Sequence, residues 1–212
     1  MNKLISENEL KNLLEVYLTL HHTKELPRQG FISHGFKRAD ADSVAAHSFS
    51  VASLAFLMAL QLKKQGINID ENKVVKMALF HDIGEAITGD IGRMVKILAG
   101  GAIEEVEEKA FRAMIKNLSF KSYLLDLRKE YEERESVEAV LVKACDALDA
   151  IAQAVSVPAA DINEFKKENK LILKYLSEKN REIAELFDYC SSLIFEKKVL
   201  PYRGYREDID IY

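Results

Sequence analysis

The sequence predicts an all-α fold, a single bundle of about six to eight helices built from 212 residues. Three observations predict it. Apolar residues recur at helical spacing along nearly the whole chain. Ser, Asp or Asn precedes several of these runs as a cap, and Gly or Pro follows them. No stretch alternates apolar and polar residues in the way a half-buried strand does, and there are no repeats or low-complexity linkers.

Ser6-Glu7-Asn8-Glu9 is a capping box, and Leu10, Leu13, Leu14, Tyr17 and Leu18 line one face of the helix it opens. That helix ends near His21-His22, ahead of Pro27. From Arg28 to Asp42, Gly30, Gly35 and mixed polar residues predict an ordered loop or short extended piece. Asp42 or Ser43 caps a helix from Val44 to about Lys64, apolar on nearly every side and therefore central; Gly66 ends it. Asp70 caps the next, which reaches to about Ala86 before Thr88-Gly89-Asp90-Ile91-Gly92 turns the chain. Ile103, Val106, Ala110, Phe111, Met114, Ile115 and Leu118 then keep helical spacing. Opposite them stand Glu104, Glu105, Glu107 and Glu108, a charge run expected to be a solvated face. Ser136 to about Ser156 is a second central helix, stopped by Pro158. Asp161-Ile162-Asn163-Glu164 opens another, and Ile183, Leu186, Phe187, Cys190, Leu193 and Ile194 define the last, ended by Pro201. The expected domain covers 1–200, with the functional core at 28–156, the C-terminal helices at 161–199 and a Tyr-rich tail at 201–212.

The bulk numbers exclude some classes. Hydrophobic residues are 48% and charged ones 30%, the composition of a globular chain. With a net charge of −4 and no basic stripe, a nucleic-acid polymer is not an expected partner. The longest apolar stretch, Val51 to Leu62, is broken by Ser53 and Gln61 and is too short to span a bilayer. The N-terminus carries Ser6, Glu7 and Glu9 and is unlike a secretion signal. Cys145 and Cys190 sit in apolar helical segments, as buried reduced thiols do, so the expected location is the cytoplasm.

The chemistry sits in three places. Val74-Val75-Lys76-Met77-Ala78-Leu79-Phe80 leads straight into His81-Asp82-Ile83-Gly84-Glu85. Polar groups at the end of a buried helix are costly unless something satisfies them. His47 and Asp146 interrupt the two central apolar helices in the same way. Two histidines and two aspartates from three helices can close around one divalent cation. Mixed imidazole and carboxylate ligands suit Mn, Fe, Co, Ni or Zn better than Ca. Successive helical residues point about 100° apart, so His81 and Asp82 share an ion only near a helix end. Glu85 lies one turn past His81 on the same face and is a candidate general acid or base. Asp90 can reach the same cleft from its loop. Arg28, Arg38, Arg93 and Lys96 are cations able to hold an anionic substrate, with Arg able to do so bidentately.

Each residue also has a plainer reading. A lone His47 caps or satisfies its first turn, Asp146 pairs with Lys143, Glu85 is an exposed helix residue, Asp90 is a turn residue, and Arg28 and Lys96 are surface cations. His21, His22 and His34 lack partners at ligand spacing and are expected in loops or solvent. Cys145 points to another helix face than Asp146 and is expected in the core.

The order His47, His81-Asp82, Asp146 on buried helices resembles the HD-domain metal-dependent phosphohydrolases. The closer similarity is to their 5'-deoxynucleotidase branch. It is carried by Pro27-Arg28-Gln29-Gly30-Phe31 with Asp42 to Ser48, by His81 to Asp90 including Gly84-Glu85 and Thr88-Gly89-Asp90, and by Lys143-Ala144-Cys145-Asp146. The chain departs from that branch at Ala46, where relatives commonly carry an acidic residue, and at Phe31, where they often have Trp. The resemblance implies an HD-domain-like helical bundle. It implies His47, His81, Asp82 and Asp146 as metal ligands, Glu85 and Asp90 as catalytic, and Arg28 as the phosphate contact; Lys96 is added as a second substrate contact. The implied reaction is metal-dependent hydrolysis of (deoxy)nucleoside 5'-monophosphates to nucleoside and phosphate, with a small nucleotide as partner. Two alternatives stay open: an HD-type phosphodiesterase or guanosine polyphosphate hydrolase, and a non-catalytic metal-stabilised nucleotide-sensing or interaction module. The exposed faces of the terminal helices leave room for a homodimer.

Overall fold

Helix after helix follows the caps read from the sequence. The computed structural model describes residues 4–157 and 161–201, and its regular elements are helices, with one isolated antiparallel bridge pairing Pro27 with Ser43. In chain order these are α1 (Glu7–His21), a 3-10 turn (His22–Lys24), α2 (Gln29–Ser33), α3 (Val44–Lys64), α4 (Glu71–Phe80), α5 (Glu85–Thr88) and α6 (Arg93–Ala99). They continue with α7 (Ala102–Ile115), α8 (Lys121–Glu133), α9 (Val137–Ser156), α10 (Asn163–Lys179) and α11 (Arg181–Phe195). The helices outnumber the six to eight expected, the surplus including the short pieces α2, α5 and α6. Pro158 and residues 202–212 of the tail lie outside the described residues.

The capping box forms as written: the Ser6 hydroxyl accepts from the Glu9 amide, and the Glu9 carboxylate takes the Ser6 amide. Ser43, Asp70, Ser136 and Asn180 cap α3, α4, α9 and α11. The main core lies where α3, α4 and α9 meet, closed by α8, α10 and α11. Val51, Ala55, Val74, Met77, Leu141, Val142, Leu148, Leu176 and Phe187 are buried together there. Each large side chain so buried stabilises by roughly 1.5–3 kcal/mol. A second cluster, Ile83, Phe111, Ile115, Leu118 and Leu124, gathers α1 and α8 around α7. A third joins α2 to α9 and α10 through Phe31, Phe36, Ala154 and Phe165, with Phe31 stacked on Phe165 at 5.6 Å.

Several local readings are corrected. The helix capped by Asp70 ends at Phe80, not Ala86, because the chain leaves the main core there: Met77 and Ala78 belong to the first cluster and Ile83 to the second. The turn tightens through Ile83 N–H to Phe80 O and Glu85 N–H to Asp82 O at 3.4 and 3.0 Å. Gly84 is pressed against α7, where an added Cβ would lie 3.1 Å from the Glu107 carbonyl oxygen. The region after Arg28 contains α2 as well as loop. Helix α8 has few apolar residues, yet it buries Leu124, Leu127, Arg128 and Tyr131. The acidic run of α7 is not wholly solvated, since Glu107 is 8% exposed. Helix α3, by contrast, keeps its expected bounds, Val44 to Lys64. By length and composition it could cross a bilayer. Its Val44, His47, Val51, Ala52, Ala55 and Ala59 face the protein interior.

Candidate metal and substrate site

His47 lies in the first turn of α3, at a position in register with Val51 and Ala55, so the helix drives it inward; it is fully buried. His81 caps the C-terminus of α4, where the chain crosses between two apolar clusters, and Asp82 follows in the turn. Asp146 projects from the middle of α9. The fold brings these together. His47 Nε2 lies 3.5 Å from Asp82 Oδ2 and 3.3 Å from Asp146 Oδ1, and His81 Nε2 lies 3.1 Å from Asp82 Oδ2. Donor atoms of His47, His81 and Asp82 all fall within 4.8 Å of one another.

Both histidines keep the far ring nitrogen occupied. His81 Nδ1 meets the Ala78 carbonyl oxygen at 2.7 Å, and His47 Nδ1 meets Asp149 Oδ2 at 2.7 Å. The two Nε2 atoms are buried with no hydrogen-bond partner. A divalent ion bound at roughly 2.0–2.2 Å keeps adjacent donors roughly 2.8–3.6 Å apart in octahedral or tetrahedral geometry. The spacing and chemistry of this donor set fit such an ion. Asp146 also makes the plainer contact foreseen for it, Oδ2 to Lys143 Nζ at 2.7 Å, which leaves Oδ1 toward His47.

Neighbouring charges and burial set the protonation of this cluster. Burial opposes ionisation of Asp82, but the His81 and His47 imidazoles hold its carboxyl well below the usual range. Asp146 is likewise held low against burial, by Lys143 and by His47. Burial and the Arg28 charge oppose protonation of His47, yet Asp146 and Asp149 raise it to about 9. Glu85 moves the other way. Its carboxyl is buried beside Asp82 and Asp90, which pushes its pKa far up, and its Oε2 has no partner.

These groups open onto a cleft of about 1080 Å³, lined by Arg28, His81, Asp82, Glu85, Asp90, Lys96 and Asp146 among others, with His47 sealed beneath. Arg28 is held by its own N–H to the Asp42 carbonyl at 3.0 Å, and its guanidinium lies over the Phe31 ring. Its Nη1 is buried and unpartnered. Burial works against its charge, and Asp146, Asp82, Asp42 and Asp90 sustain it. Asp90 accepts from the Gly30 amide at 3.3 Å, tying the α5–α6 loop to α2. Lys96 is not a free cation, because its Nζ sits 2.8 Å from Glu107 Oε1. Arg93 pairs with Glu168 at 3.6 Å at the cleft rim, whereas Arg38 reaches the Glu25 carbonyl and does not line the cleft.

His34 lies in the turn after α2, as a loop residue was expected to, and also lines the cleft: Nδ1 meets the Gly30 carbonyl oxygen at 2.6 Å and the ring lies against Phe165. His21 and His22 are exposed. Cys145 packs in the core with Sγ 3.6 Å from Met58 Sδ, and burial raises its thiol pKa. Residues not singled out from sequence also join the site. Tyr131 is buried edge-on to His81 at 5.5 Å. Arg134 lines the cleft with its guanidinium over Tyr131 and Tyr175. Asp149 was findable, since it follows Asp146 by three residues on a helix and so shares its face. Glu107 carried no such signal.

Comparison with known proteins identifies the family. Residues 20–187 match the model of the HD domain family. A Dictyostelium discoideum protein named 5'-deoxynucleotidase HDDC2 is 30% identical over 176 residues, covering 81% of this chain and 90% of its own. The Homo sapiens protein of the same name is 31% identical over 146 residues, covering 68% of this chain and 67% of its own. A conserved hypothetical protein of Pyrococcus furiosus superposes with a TM-score of 0.69 at 33% identity, over 83% of this chain and 99% of that one. The chain belongs to the HD domain family.

Proposed function

We propose that this protein hydrolyses nucleoside 5'-monophosphates to nucleoside and phosphate, with deoxynucleotides as the favoured substrates. The reading requires one divalent transition ion, Mn, Co, Ni, Fe or Zn, held by His47, His81, Asp82 and Asp146. The observation that carries it is the pair of buried, unpartnered Nε2 atoms of His47 and His81 converging on Asp82 and Asp146 at the floor of a cleft. The relatives named 5'-deoxynucleotidase supply the substrate class. An ion bound there supplies Lewis acidity toward phosphate and a nucleophile at neutral pH.

The chain's own residues do the rest. Arg28 offers a buried, preorganised guanidinium to the phosphate oxygens, and offsetting their charge is most of what phosphoryl transfer asks of a protein. Lys96 adds charge at longer range, tempered by Glu107. Burial beside Asp82 and Asp90 favours the neutral acid of Glu85, the form that gives a proton to a leaving 5'-oxygen. Asp90 holds the loop that follows α5 against α2 through the Gly30 amide, beside Arg28 at the start of α2.

The test is phosphate release from a panel of nucleoside mono-, di-, triphosphates and cyclic nucleotides, using metal-stripped protein reloaded with each ion. Release from deoxynucleoside monophosphates is expected. Turnover confined to cyclic or polyphosphorylated substrates, or none with any ion, overturns the reading. A homodimer is also proposed, supported by the exposed Leu10, Leu14, Tyr17 and Leu18 of α1. Light scattering at the mass of one 24.0 kDa chain would refute it.

A further inference from the structure

The two histidines at the site solve the same problem in different ways. A ligating imidazole must present one nitrogen lone pair and keep its hydrogen on the other nitrogen. His81, at the end of α4, uses the carbonyl of Ala78. His47, at the start of α3, has no such option. The Ser43 carbonyl accepts the His47 amide, and the Val44 carbonyl accepts the Ser48 hydroxyl at 3.0 Å. Its ring nitrogen turns outward from the helix and meets a carboxylate from α9, Asp149 Oδ2, at 2.7 Å. An ionised carboxylate offers only lone pairs, so the nitrogen facing it is the one that bears hydrogen.

We propose that Asp149 is the positioning residue for His47: it accepts from Nδ1–H, fixes the ring, and aims Nε2 at Asp82 and Asp146. The inference rests on the metal-dependent reading above. The geometry is economical, because Asp146 and Asp149 stand one helical turn apart on α9 and face opposite nitrogens of one ring, at 3.3 and 2.7 Å. Asp42 completes the arrangement. Its carboxylate lies within 4.8 Å of the His47 and Asp149 donor atoms, its Oδ1 is buried without a partner, and Arg28 is attracted to it. A second cation between Asp42 and Asp149 is the competing use of the same groups.

The test uses the full chain loaded with Zn, with imidazole N–H resonances read by nitrogen-15 NMR and affinity by calorimetry. In the unaltered protein, Nδ1–H protons protected from exchange are expected on both His47 and His81, with one ion per chain. In D149A the His47 signal is lost while that of His81, held by backbone, persists as an internal control. Zinc affinity then falls roughly 10- to 100-fold, the usual effect of losing such a partner. D149N, whose side-chain oxygen still accepts, recovers part of that affinity and the His47 signal. Unchanged zinc affinity in D149A and D149N, or no hydrogen on His47 Nδ1 in the unaltered protein, overturns the proposal. So do two ions per chain with the second lost in D149A. If the unaltered protein binds no ion, the metal-dependent reading itself has failed; the His47 Nδ1–H signal of the ion-free protein and its loss in D149A judge Asp149 separately.

Discussion

Ion binding should release protons, and the amount is set by His47 and Glu85. The carboxylates around His47 raise it to about 9, so at pH 7 nearly every ion-free molecule carries a proton there. A ligating imidazole must be neutral. Two pH units at about 1.4 kcal/mol each make ion binding roughly 3 kcal/mol weaker at pH 7 than above pH 9. The sign follows: affinity rises with pH and levels off as pH passes the raised pKa. From His47 alone the slope is about one decade per pH unit, with one proton released per ion. Glu85, whose pKa is also raised, loses a second proton in whatever fraction a nearby dication ionises it, so the unaltered protein should lie between one and two. In E85Q that contribution disappears and the slope should settle at one. Calorimetry of Mn binding between pH 6.5 and 9, in buffers of differing ionisation heat, reads both slope and proton count. An affinity independent of pH over that range would refute the reasoning, because His47 would then not exchange a proton for the ion.

Other outcomes follow from the same geometry. E85Q should bind the ion within about threefold of the unaltered protein yet lose roughly 10²- to 10⁴-fold in kcat, as removal of a general acid does; full activity would withdraw its role. R28A should lower kcat/KM roughly 10- to 150-fold, the worth of charge-assisted contacts at about 1.5–3 kcal/mol. K96A should lower it by about fivefold or less, since a partly buried cation already paired with Glu107 contributes about 1 kcal/mol or less. Steady-state kinetics on one deoxynucleotide separates the two. Leu141, fully buried in the main core, should cost roughly 2–5 kcal/mol as L141A, a fall in Tm of roughly 4–20 °C by calorimetry, with the ion still bound at 25 °C.

Much of the architecture was legible because the central helices carry their own punctuation. Ser43 ahead of Val44, Asp70 ahead of Glu71 and Ser136 ahead of Val137 mark starts that the structure keeps. The convergence of His47, His81, Asp82 and Asp146 was legible because they break apolar runs where an unsatisfied polar group is costly. What escaped was set by contacts distant along the chain. The end of α4 at Phe80 depends on Ile83 joining Phe111 and on Gly84 meeting the Glu107 backbone, neither visible within a local window. Helix α6 is short, buries no residue fully and is bracketed by Gly92 and Gly100, so periodicity had too little to work on. Lys96 looked free because its partner Glu107 sat within a run that reads as solvated. Asp149 was in view beside Asp146, but its role appears only once α3 places the opposite side of the His47 ring against it.

The most direct measurement is metal content by mass spectrometry of the intact protein after loading with Mn, Co or Zn, comparing the unaltered chain with H47A, H81A, D82A and D146A. One ion on each 24.0 kDa chain, lost or bound at least tenfold more weakly in all four variants while helicity is kept, is the predicted result. An ion retained at full affinity in D146A or H47A would contradict convergence of these side chains on one cation.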